Sequence, residues 1–235
     1  MHDQATVQVY RRVKVAIINT GDELLALGQP IEPWQIRDSN GPLLEAMLRE
    51  CPWIEFKRTA VRDDPVAIQR AIADALVSSD AVLLTGGVSM GDTDHVPEAT
   101  VRCGGEIIFH RLPIRPGAPI LGAATESGQL ILGLPGNPVS VAVTFRRFGL
   151  GLLDRIGGRT LAQRFVKTSV ANGDHKSLHL VWYRLVVLQP DGTVLLLPNQ
   201  GSGDVVGMGL SDGFIEVPAG TETQGSFFYY DWKFC

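Results

Sequence analysis

The sequence has few cysteines, and their spacing matches neither a metal site nor a disulfide framework. Only Cys51, Cys103 and Cys235 occur among 235 residues, and no two of them form a CxxC pair. A structural zinc site and a disulfide framework are therefore not predicted. We expect free or buried thiols, which suit a reducing compartment.

Long runs of one kind of residue are also missing. The chain has 21 basic and 25 acidic residues, which gives a net charge of −4 without a basic cluster. Because nucleic-acid-binding domains usually carry such a cluster, nucleic acid is not a predicted partner. No apolar run approaches the length of a membrane span, and residues 1–12 are too polar for a signal peptide. We therefore predict a cytoplasmic protein without a membrane contact.

The order of strand and helix patterns predicts a larger α/β domain followed by a small β domain. Residues 13–157 alternate between the two patterns, which predicts a doubly wound, mostly parallel sheet with one or more antiparallel additions. Gly157 and Gly158 form a natural break. Residues 158–235 contain only strand patterns and predict an all-β partial barrel or sandwich. Residues 1–12 are a short N-terminal extension.

One loop carries the strongest chemical signal. Gly86 and Gly87 directly follow a buried strand, where glycine lets the backbone approach a ligand. Ser89 and Gly91 keep the loop slim and rich in N–H donors, which suits phosphate. Asp92 and Asp94 would repel an anion unless a divalent cation lay between them or a ring of the ligand donated hydrogen bonds to them. The pattern is therefore compatible with Mg²⁺-assisted phosphate chemistry. From these residues alone, a structural loop with a helix cap is an equally good interpretation.

The other loops add a resemblance to one family. Each is common by itself, but together they stand in the order and at the separations of the MoeA-type molybdopterin molybdotransferases, which include the E domain of gephyrin. The motifs are Thr20-Gly21-Asp22-Glu23-Leu24, Asp38-Ser39-Asn40, Arg62-Asp63-Asp64, Thr85 through Asp94, Arg115-Pro116-Gly117, Pro135-Gly136-Asn137-Pro138-Val139-Ser140 and, more loosely, Gln200-Gly201-Ser202.

The resemblance implies a three-layer α/β/α molybdopterin-binding fold followed by a barrel-like β domain. It also implies a reaction in which molybdate is inserted into adenylylated molybdopterin and AMP is released with Mg²⁺. By position, Asp94 resembles the acid that handles the magnesium and phosphate, and Asp63 a second acid for that step. Arg115 and Arg184 correspond to residues near molybdate. The implied substrate-binding residues are Thr20, Gly21, Asp22, Glu23, Ser39, Asn40, Gly86, Gly87, Ser89, Gly91, Asp92, Pro135, Gly136, Asn137 and Pro138.

The sequence departs from the family pattern at several points. Ala118 stands where the family has a second lysine of its Lys-Pro-Gly-Lys-Pro motif, and Val206 and Gly207 replace a pair of serines. By the resemblance, the sequence begins almost directly at the molybdopterin-binding domain and lacks the family's N-terminal domains, which contribute to dimerisation. A homodimer is nevertheless expected from the resemblance, and a molybdopterin adenylyltransferase or a molybdoenzyme is a candidate partner.

Three functional hypotheses follow from these residues. The leading one is a molybdenum-inserting transferase, which intact Asp63 and Asp94 favour. The second is a non-catalytic carrier that binds molybdopterin or finished molybdenum cofactor, which Ala118 and the loss of the serine pair favour. A third is an adenylyltransferase or a competence-damage-type protein of the same fold. It ranks lower, because those proteins lack the C-terminal β domain.

Overall fold

The computed structural model describes residues 6–25, 28–88, 94–159, 166–198 and 201–233. Its N-terminal part is built around a six-stranded sheet. In chain order the elements of this part are β1 (Val13–Thr20), β2 (Leu24–Leu25), β3 (Ile36–Arg37), α1 (Asn40–Arg49), β4 (Ile54–Val61), α2 (Pro65–Ser78), β5 (Ala81–Thr85), α3 (Val96–Arg102), β6 (Gly105–His110), β7 (Ile114–Arg115), β8 (Leu121–Thr125), β9 (Leu130–Leu134), α4 (Pro138–Thr144) and α5 (Leu150–Ile156).

The sheet is mostly parallel, as predicted. Its strand order is β4-β1-β5-β9-β8-β6. The pairs β4–β1, β1–β5 and β5–β9 are parallel, whereas β8 runs antiparallel to both β9 and β6. The predicted antiparallel additions are therefore confirmed. They occupy one side of the sheet and leave the parallel strands together.

Helices cover both faces of this sheet, because alternate residues of its strands point to opposite sides. Val15 and Ile17 of β1 belong to the hydrophobic cluster that contains Leu48 of α1 and the inner face of α4. Ile18 belongs instead to a second cluster, which contains Ile68 of α2 and residues of α3. The predicted α/β/α layering is confirmed. Each fully buried aliphatic side chain contributes roughly 1.5–3 kcal/mol to folding through removal of apolar surface from water.

The C-terminal part is a small closed barrel. Its elements are β10 (Val166–Asp174), β11 (Val181–Leu188), β12 (Val194–Leu196), α6 (Val205–Gly209), β13 (Gly213–Val217) and β14 (Thr223–Asp231). The strands pair in the order β12-β10-β14-β13-β11, and β12 also pairs with β11, which closes the ring. Val186, Ile215 and Phe227 lie in its core. The prediction of a barrel-like β domain is confirmed.

Strand β7 of the N-terminal part adds to the outside of this barrel through a parallel pairing with β11. The chain thus crosses between the two sheets before the predicted break at residues 157–158. The predicted limits of the two domains, 13–157 and 158–235, stay a prediction.

Two short helices were not predicted from the sequence. Helix α3 has 7 residues and α6 has 5, which is too short to show a helical repeat of apolar residues. Helix α2, with 14 residues, begins after Asp64, whose side chain accepts a hydrogen bond from the Ala67 N–H, and Pro65 takes the first helical position. Among the described residues, no helix is long and apolar enough to cross a membrane.

The cysteines differ from one another. Cys103 is a free thiol whose Sγ donates to the carbonyl of Gln69 at 3.3 Å. Cys51 is 1% exposed and is disulfide-bonded, which the sequence reasoning did not predict. The expectation of a free thiol is therefore confirmed for Cys103, and Cys235 lies outside the described residues.

The barrel packs against the helix that follows β9. Helices α4 and α5 are joined by a π-helical turn, Phe145–Gly149. Within that turn, Arg147 Nε lies 2.7 Å from Glu216 Oε2, and Arg146 Nε donates to the Asp231 carbonyl at 2.7 Å. Because the wider turn brings consecutive arginines onto the barrel, it fixes the orientation of the barrel relative to the sheet.

Phe214 is the central apolar residue of this contact. It is fully buried, and its ring stacks on Tyr230 at a centroid distance of 5.0 Å. We expect Phe214→Ala to lower the free energy of unfolding by about 3–5 kcal/mol, measured by denaturant titration. Phe228→Ala is the matched control, because Phe228 is 37% exposed on the neighbouring strand. Its loss should stay below about 1 kcal/mol. Equal losses for both variants would contradict this role of Phe214.

Candidate functional site

Most of the predicted site residues meet at one edge of the sheet, where the parallel strands end. Strand β1 lies between β4 and β5. The next sheet strand in the chain, β4, is therefore added on one side of β1, and β5 is added on its other side. This reversal opens a crevice at the carboxyl ends of the strands, where ligands bind in open α/β sheets. The predicted loops lie at the ends of β1, β4, β5 and β9: they are residues 20–23, 62–64, 86–87 and 135–138, of which residue 20 is the last of β1. We call this row of loops the carboxyl edge.

An acidic cluster surrounds Asp63 at the carboxyl edge. Its Oδ1 atom is buried and has no hydrogen-bond partner among the described residues. Burial raises the pKa of Asp63; the field of His95 lowers it, and those of Glu23, Asp22 and Asp94 raise it. A buried carboxylate oxygen without a partner is unfavourable for folding and is characteristic of a site that a ligand completes.

Asp22 connects two of these loops. Its Oδ1 accepts hydrogen bonds from the Asp63 N–H at 3.3 Å and from Arg62 Nε at 3.4 Å. The loop after β1 is thereby tied to the loop after β4. Asp94, on the far side of the Gly-rich loop, precedes α3. The structure therefore brings the predicted acids Asp63 and Asp94 into one electrostatic environment.

The donor set fits a magnesium ion that is shared with a substrate. Within the described ranges, no group of three or more His, Cys, Asp or Glu side chains is arranged to hold a metal ion. Magnesium is usually bound by one or two carboxylates together with substrate phosphates and water, and not by a complete protein cage. Asp63 and Asp94 supply carboxylates of that kind. The predicted residues Ser89, Gly91 and Asp92 lie outside the described residues.

The glycines after β5 allow two strand ends to touch. Gly86 and Gly87 have φ angles of 88° and 61°, which disfavour other residues. A Cβ atom on Gly86 would lie 2.7 Å from the carbonyl oxygen of Thr20. Thr20 Oγ1 in turn donates to the Thr85 carbonyl at 3.3 Å. The absence of a side chain at Gly86 thus lets the end of β5 pack against Thr20. The predicted close approach of this backbone to a ligand stays a prediction.

The base of the Gly-rich loop is held by a histidine that the sequence reasoning missed. His110 Nε2 donates to the Val88 carbonyl at 2.9 Å. The Val88 side chain is 2% exposed and packs over Gly133, where a Cβ atom would clash at 2.7 Å. No local motif marks His110, because its contact with Val88 arises from the position of β6 at the antiparallel edge of the sheet.

The loop after β9 joins the sheet to the barrel. Asn40 Nδ2 donates to the Gly136 carbonyl at 2.7 Å, while Asn40 Oδ1 is buried without a partner in the described part of the chain. Asn137 Nδ2 donates to Ser202 Oγ at 2.9 Å, and the Val139 N–H donates to the Ser202 carbonyl at 3.1 Å. Asn137 occupies the N-cap position of α4, but its side chain serves this contact and does not cap the helix.

In the Asp38-Ser39-Asn40 motif at the start of α1, the residue in the N-cap position is not the one whose side chain caps the helix. Ser39 is the N-cap residue, yet its side chain makes no capping hydrogen bond. Asp38 Oδ1 accepts from the Gly41 N–H at 3.0 Å instead, and Asp38 Oδ2 lies 2.7 Å from Arg58 Nη1. The hydroxyl of Ser39 thus makes no hydrogen bond to the start of the helix. Its role in ligand binding stays a prediction.

A cavity of about 930 Å³ opens between the carboxyl edge and the barrel. We call it the junction cavity. The described residues that line it include Arg115, Ala118, Asn137, Lys176, Arg184 and Ser202. It brings together the predicted molybdate residues Arg115 and Arg184. Val206 and Gly207, where the family has serines, lie in α6 and are not among its lining residues.

The two arginines of the junction cavity differ in their partners. Arg184 donates from Nη1 and Nη2 to the two carboxylate oxygens of Asp174 at 2.7 and 3.0 Å, and these bonds hold the pKa of Asp174 below its usual value. Its guanidinium also lies 4.3 Å from the centroid of the Trp182 ring. Arg115 is exposed and pairs in register with Trp182 across β7 and β11. The strand pairing therefore places both arginines near one indole.

A second cavity of about 800 Å³ lies between β1, β4 and α2. Its lining includes Ala16, Ile18 and Ala71, with Lys14 and Asp74 also contributing. None of the predicted site residues is among the residues that line it. We therefore place the candidate site at the carboxyl edge, where Asp63 Oδ1 and Asn40 Oδ1 are buried without a partner among the described residues, and at the junction cavity, which Arg115 and Arg184 line.

Fold and site together define a protein of the molybdopterin-binding class. Residues 16–155 match the family described as "Probable molybdopterin binding domain". The chain is 39% identical over 175 residues to a molybdopterin molybdenumtransferase of Nostoc sp., covering 74% of this chain and 40% of that protein. It is 35% identical over 218 residues to one of Synechococcus elongatus, covering 91% of this chain and 53% of that protein.

Solved structures agree with this grouping. A molybdopterin biosynthesis MoeA protein of Pyrococcus horikoshii superimposes with a TM-score of 0.80 at 26% identity, covering 95% of this chain and 55% of that chain. The chain belongs to the family of the MoeA-type molybdopterin molybdenumtransferases. It spans about half the length of the relatives that it matches.

The contact between Gly86 and Thr20 can be tested against a glycine of equal backbone strain. Gly128 has a φ angle of 84°, and a Cβ atom there would meet nothing within 4 Å. We expect Gly128→Ala to lower the free energy of unfolding by about 1 kcal/mol and to leave ligand binding unchanged. Gly86→Ala should lose roughly 1–3 kcal/mol more, because the methyl group pushes β5 from β1, and should also weaken molybdopterin binding. Unchanged ligand affinity in Gly86→Ala would contradict this placement of the site.

Burial of Asp63 predicts a pH-dependent stability difference. Because the pKa of Asp63 is raised in the folded state, the folded protein binds this proton more readily, and its ionised form destabilises the fold at neutral pH. Asp63→Asn should therefore be more stable than the wild type at pH 7. This margin should shrink as the pH falls through the raised pKa towards the ordinary value of about 3.9.

Asp80→Asn is the control of opposite sign. A hydrogen bond from Arg11 lowers the pKa of Asp80, so the ionised form is favoured by folding. Its replacement should destabilise the protein at pH 7, and the loss should fade as the pH falls. Denaturant midpoints between pH 3 and 7 would measure both differences. An Asp63→Asn variant that is less stable than the wild type at pH 7 would contradict the role of burial.

Proposed function

We propose that this protein acts in molybdenum cofactor biosynthesis, where it inserts molybdate into adenylylated molybdopterin with Mg²⁺-dependent release of AMP. The observation that carries the proposal is the arrangement of two unlike sites along one edge of the sheet. An acidic cluster around Asp63 lies at one end, and the cationic junction cavity lies at the other. The loop at residues 135–138 connects them through Asn40 and Ser202.

The acidic end suits the phosphates of the substrate. Gly86 and Gly87 turn the backbone with positive φ angles at the end of β5. The Gly-rich sequence that begins there would offer N–H donors to phosphate oxygens. Asp63 and Asp94 would hold the magnesium ion. When bound, the ion would neutralise charge on the phosphate oxygens as the bond to AMP breaks. Thr20 and Asn40 would orient the substrate through their side chains.

The cationic end suits molybdate, which is a dianion. The planar guanidinium of arginine matches oxyanions through parallel N–H donors. Arg115 is exposed in the cavity, and Arg184 is held in place by Asp174 and Trp182. An oxyanion between them would lie beside the ligand that the carboxyl edge binds. We include a homodimer, and an adenylyltransferase or molybdoenzyme as a further partner, in this proposal.

A carrier of molybdopterin or of the finished cofactor is the second candidate. Ala118 favours it, because this uncharged residue lines the junction cavity. A carrier needs the binding surface of the carboxyl edge but no cleavage of the phosphate bond. Both functions therefore require binding of the pterin, but only the transferase releases AMP.

AMP release by the purified chain separates the two functions. For the transferase, release from adenylylated molybdopterin should require both molybdate and Mg²⁺. Asp94→Asn should lower the rate on the order of 100-fold or more, because it removes a charge at the phosphate, and should leave pterin binding within about twofold. Asp191→Asn, in an exposed turn of the barrel, is the matched control and should keep the full rate.

The outcomes are distinct. Full turnover in Asp94→Asn would contradict the role given to Asp94. Binding of the pterin by the wild type without AMP release would support the carrier.

A further inference from the structure

The junction cavity is lined by a positively charged side chain, Lys176, that was not predicted from the sequence. Arg115, Lys176 and Arg184 all line it. The charge of Arg184 is largely compensated, because both of its terminal nitrogens are bonded to Asp174 and its side chain is 12% exposed. Within the described part of the chain, neither Arg115 nor Lys176 donates a side-chain hydrogen bond to a carboxylate, although the field of Lys176 also helps to lower the pKa of Asp174. These two residues therefore provide most of the uncompensated positive charge in the cavity.

The backbone around Lys176 is fixed, while its side chain stays exposed. Its N–H donates to Asp174 Oδ1 at 3.2 Å, and its carbonyl accepts from Thr223 Oγ1 at 3.5 Å. The same carboxylate thus positions Arg184 and anchors the main chain of Lys176. A lysine ammonium is a compact charge with three donors on a flexible stem, so it can reach an anion from an anchored backbone.

We propose that Lys176 is a further oxyanion-binding residue of the junction cavity and binds molybdate together with Arg115. The inference rests on the proposed function, because it places the oxyanion in this cavity. Arg184, with its charge bound to Asp174, acts there mainly as a directional hydrogen-bond donor through its remaining N–H groups.

The charge balance of the cavity supports this role. With Lys176, the cations that line the cavity and the carboxylate of Asp174 leave a net charge of about +2 for a dianion, by the ordinary ionisation of these side chains. Without Lys176, only about one positive charge would oppose molybdate. Ala118, which also lines the cavity, contributes no charge. Lys176 therefore supplies positive charge in a cavity where residue 118 is neutral.

Equilibrium binding of molybdate alone to the purified full chain tests this role. Isothermal titration calorimetry at two ionic strengths should show that Lys176→Ala binds about tenfold more weakly, as expected for loss of one charged hydrogen bond. The affinity of this variant should also depend less on salt. Lys176→Arg should retain affinity to within about threefold, because it keeps the charge. Lys176→Gln should resemble Lys176→Ala.

Lys167→Ala is the matched control, since it removes one exposed lysine of β10 that does not line the junction cavity. The Lys167 ammonium lies 5.0 Å from the centre of the Phe228 ring. Its affinity for molybdate should equal that of the wild type. Thermal melting establishes that each variant is folded. If Arg115→Ala weakens binding and Lys176→Ala does not, the role of Lys176 is wrong and the proposed function stands. If the wild type binds no molybdate, the oxyanion site itself is contradicted, and the role of Lys176 with it.

Discussion

The contact between the ends of β1 and β5 is the constraint on which the rest of the site depends. Gly86 lies so close to the Thr20 carbonyl that no larger residue fits without displacement of a strand. Both strands are buried between two helical layers, so displacement of either strand would disturb close packing on both faces of the sheet. The chain continues from β1 to α1 on one face of the sheet and from β5 to α3 on the other. This divergence opens the crevice in which Asp63 is buried and the Gly-rich loop begins.

The second constraint is the fixed position of the barrel. Arg147 and Glu216 join it to the π-helical turn, and Ser202 joins it to the loop after β9. These contacts hold the junction cavity next to the carboxyl edge. The two ends of the site then have opposite electrostatic character: carboxylates without enough cations at one end, and cations without enough carboxylates at the other. A ligand that carries phosphates and receives an oxyanion needs both ends in one place.

Much of this architecture was predictable from the sequence, because the strands of the central sheet are short, apolar and separated by clear helix signals. The same holds for the acids and glycines of the carboxyl edge, which follow strand ends directly. Helix α3 and α6 were not predicted because they are too short for periodicity. Lys176 and His110 were missed for another reason. Lys176 follows the end of β10 and lines the cavity only because the barrel closes, whereas His110 contacts the carbonyl of Val88, which is 22 residues away in sequence. No local motif marks such residues.

A crystal structure of the chain with adenylylated molybdopterin and molybdate tests the central claim most directly. We predict that the phosphates lie beside Gly86 and Asp63 and that the oxyanion lies in the junction cavity between Arg115 and Arg184. A ligand bound in the cavity between β4 and α2, away from the carboxyl edge, would contradict this assignment of the site.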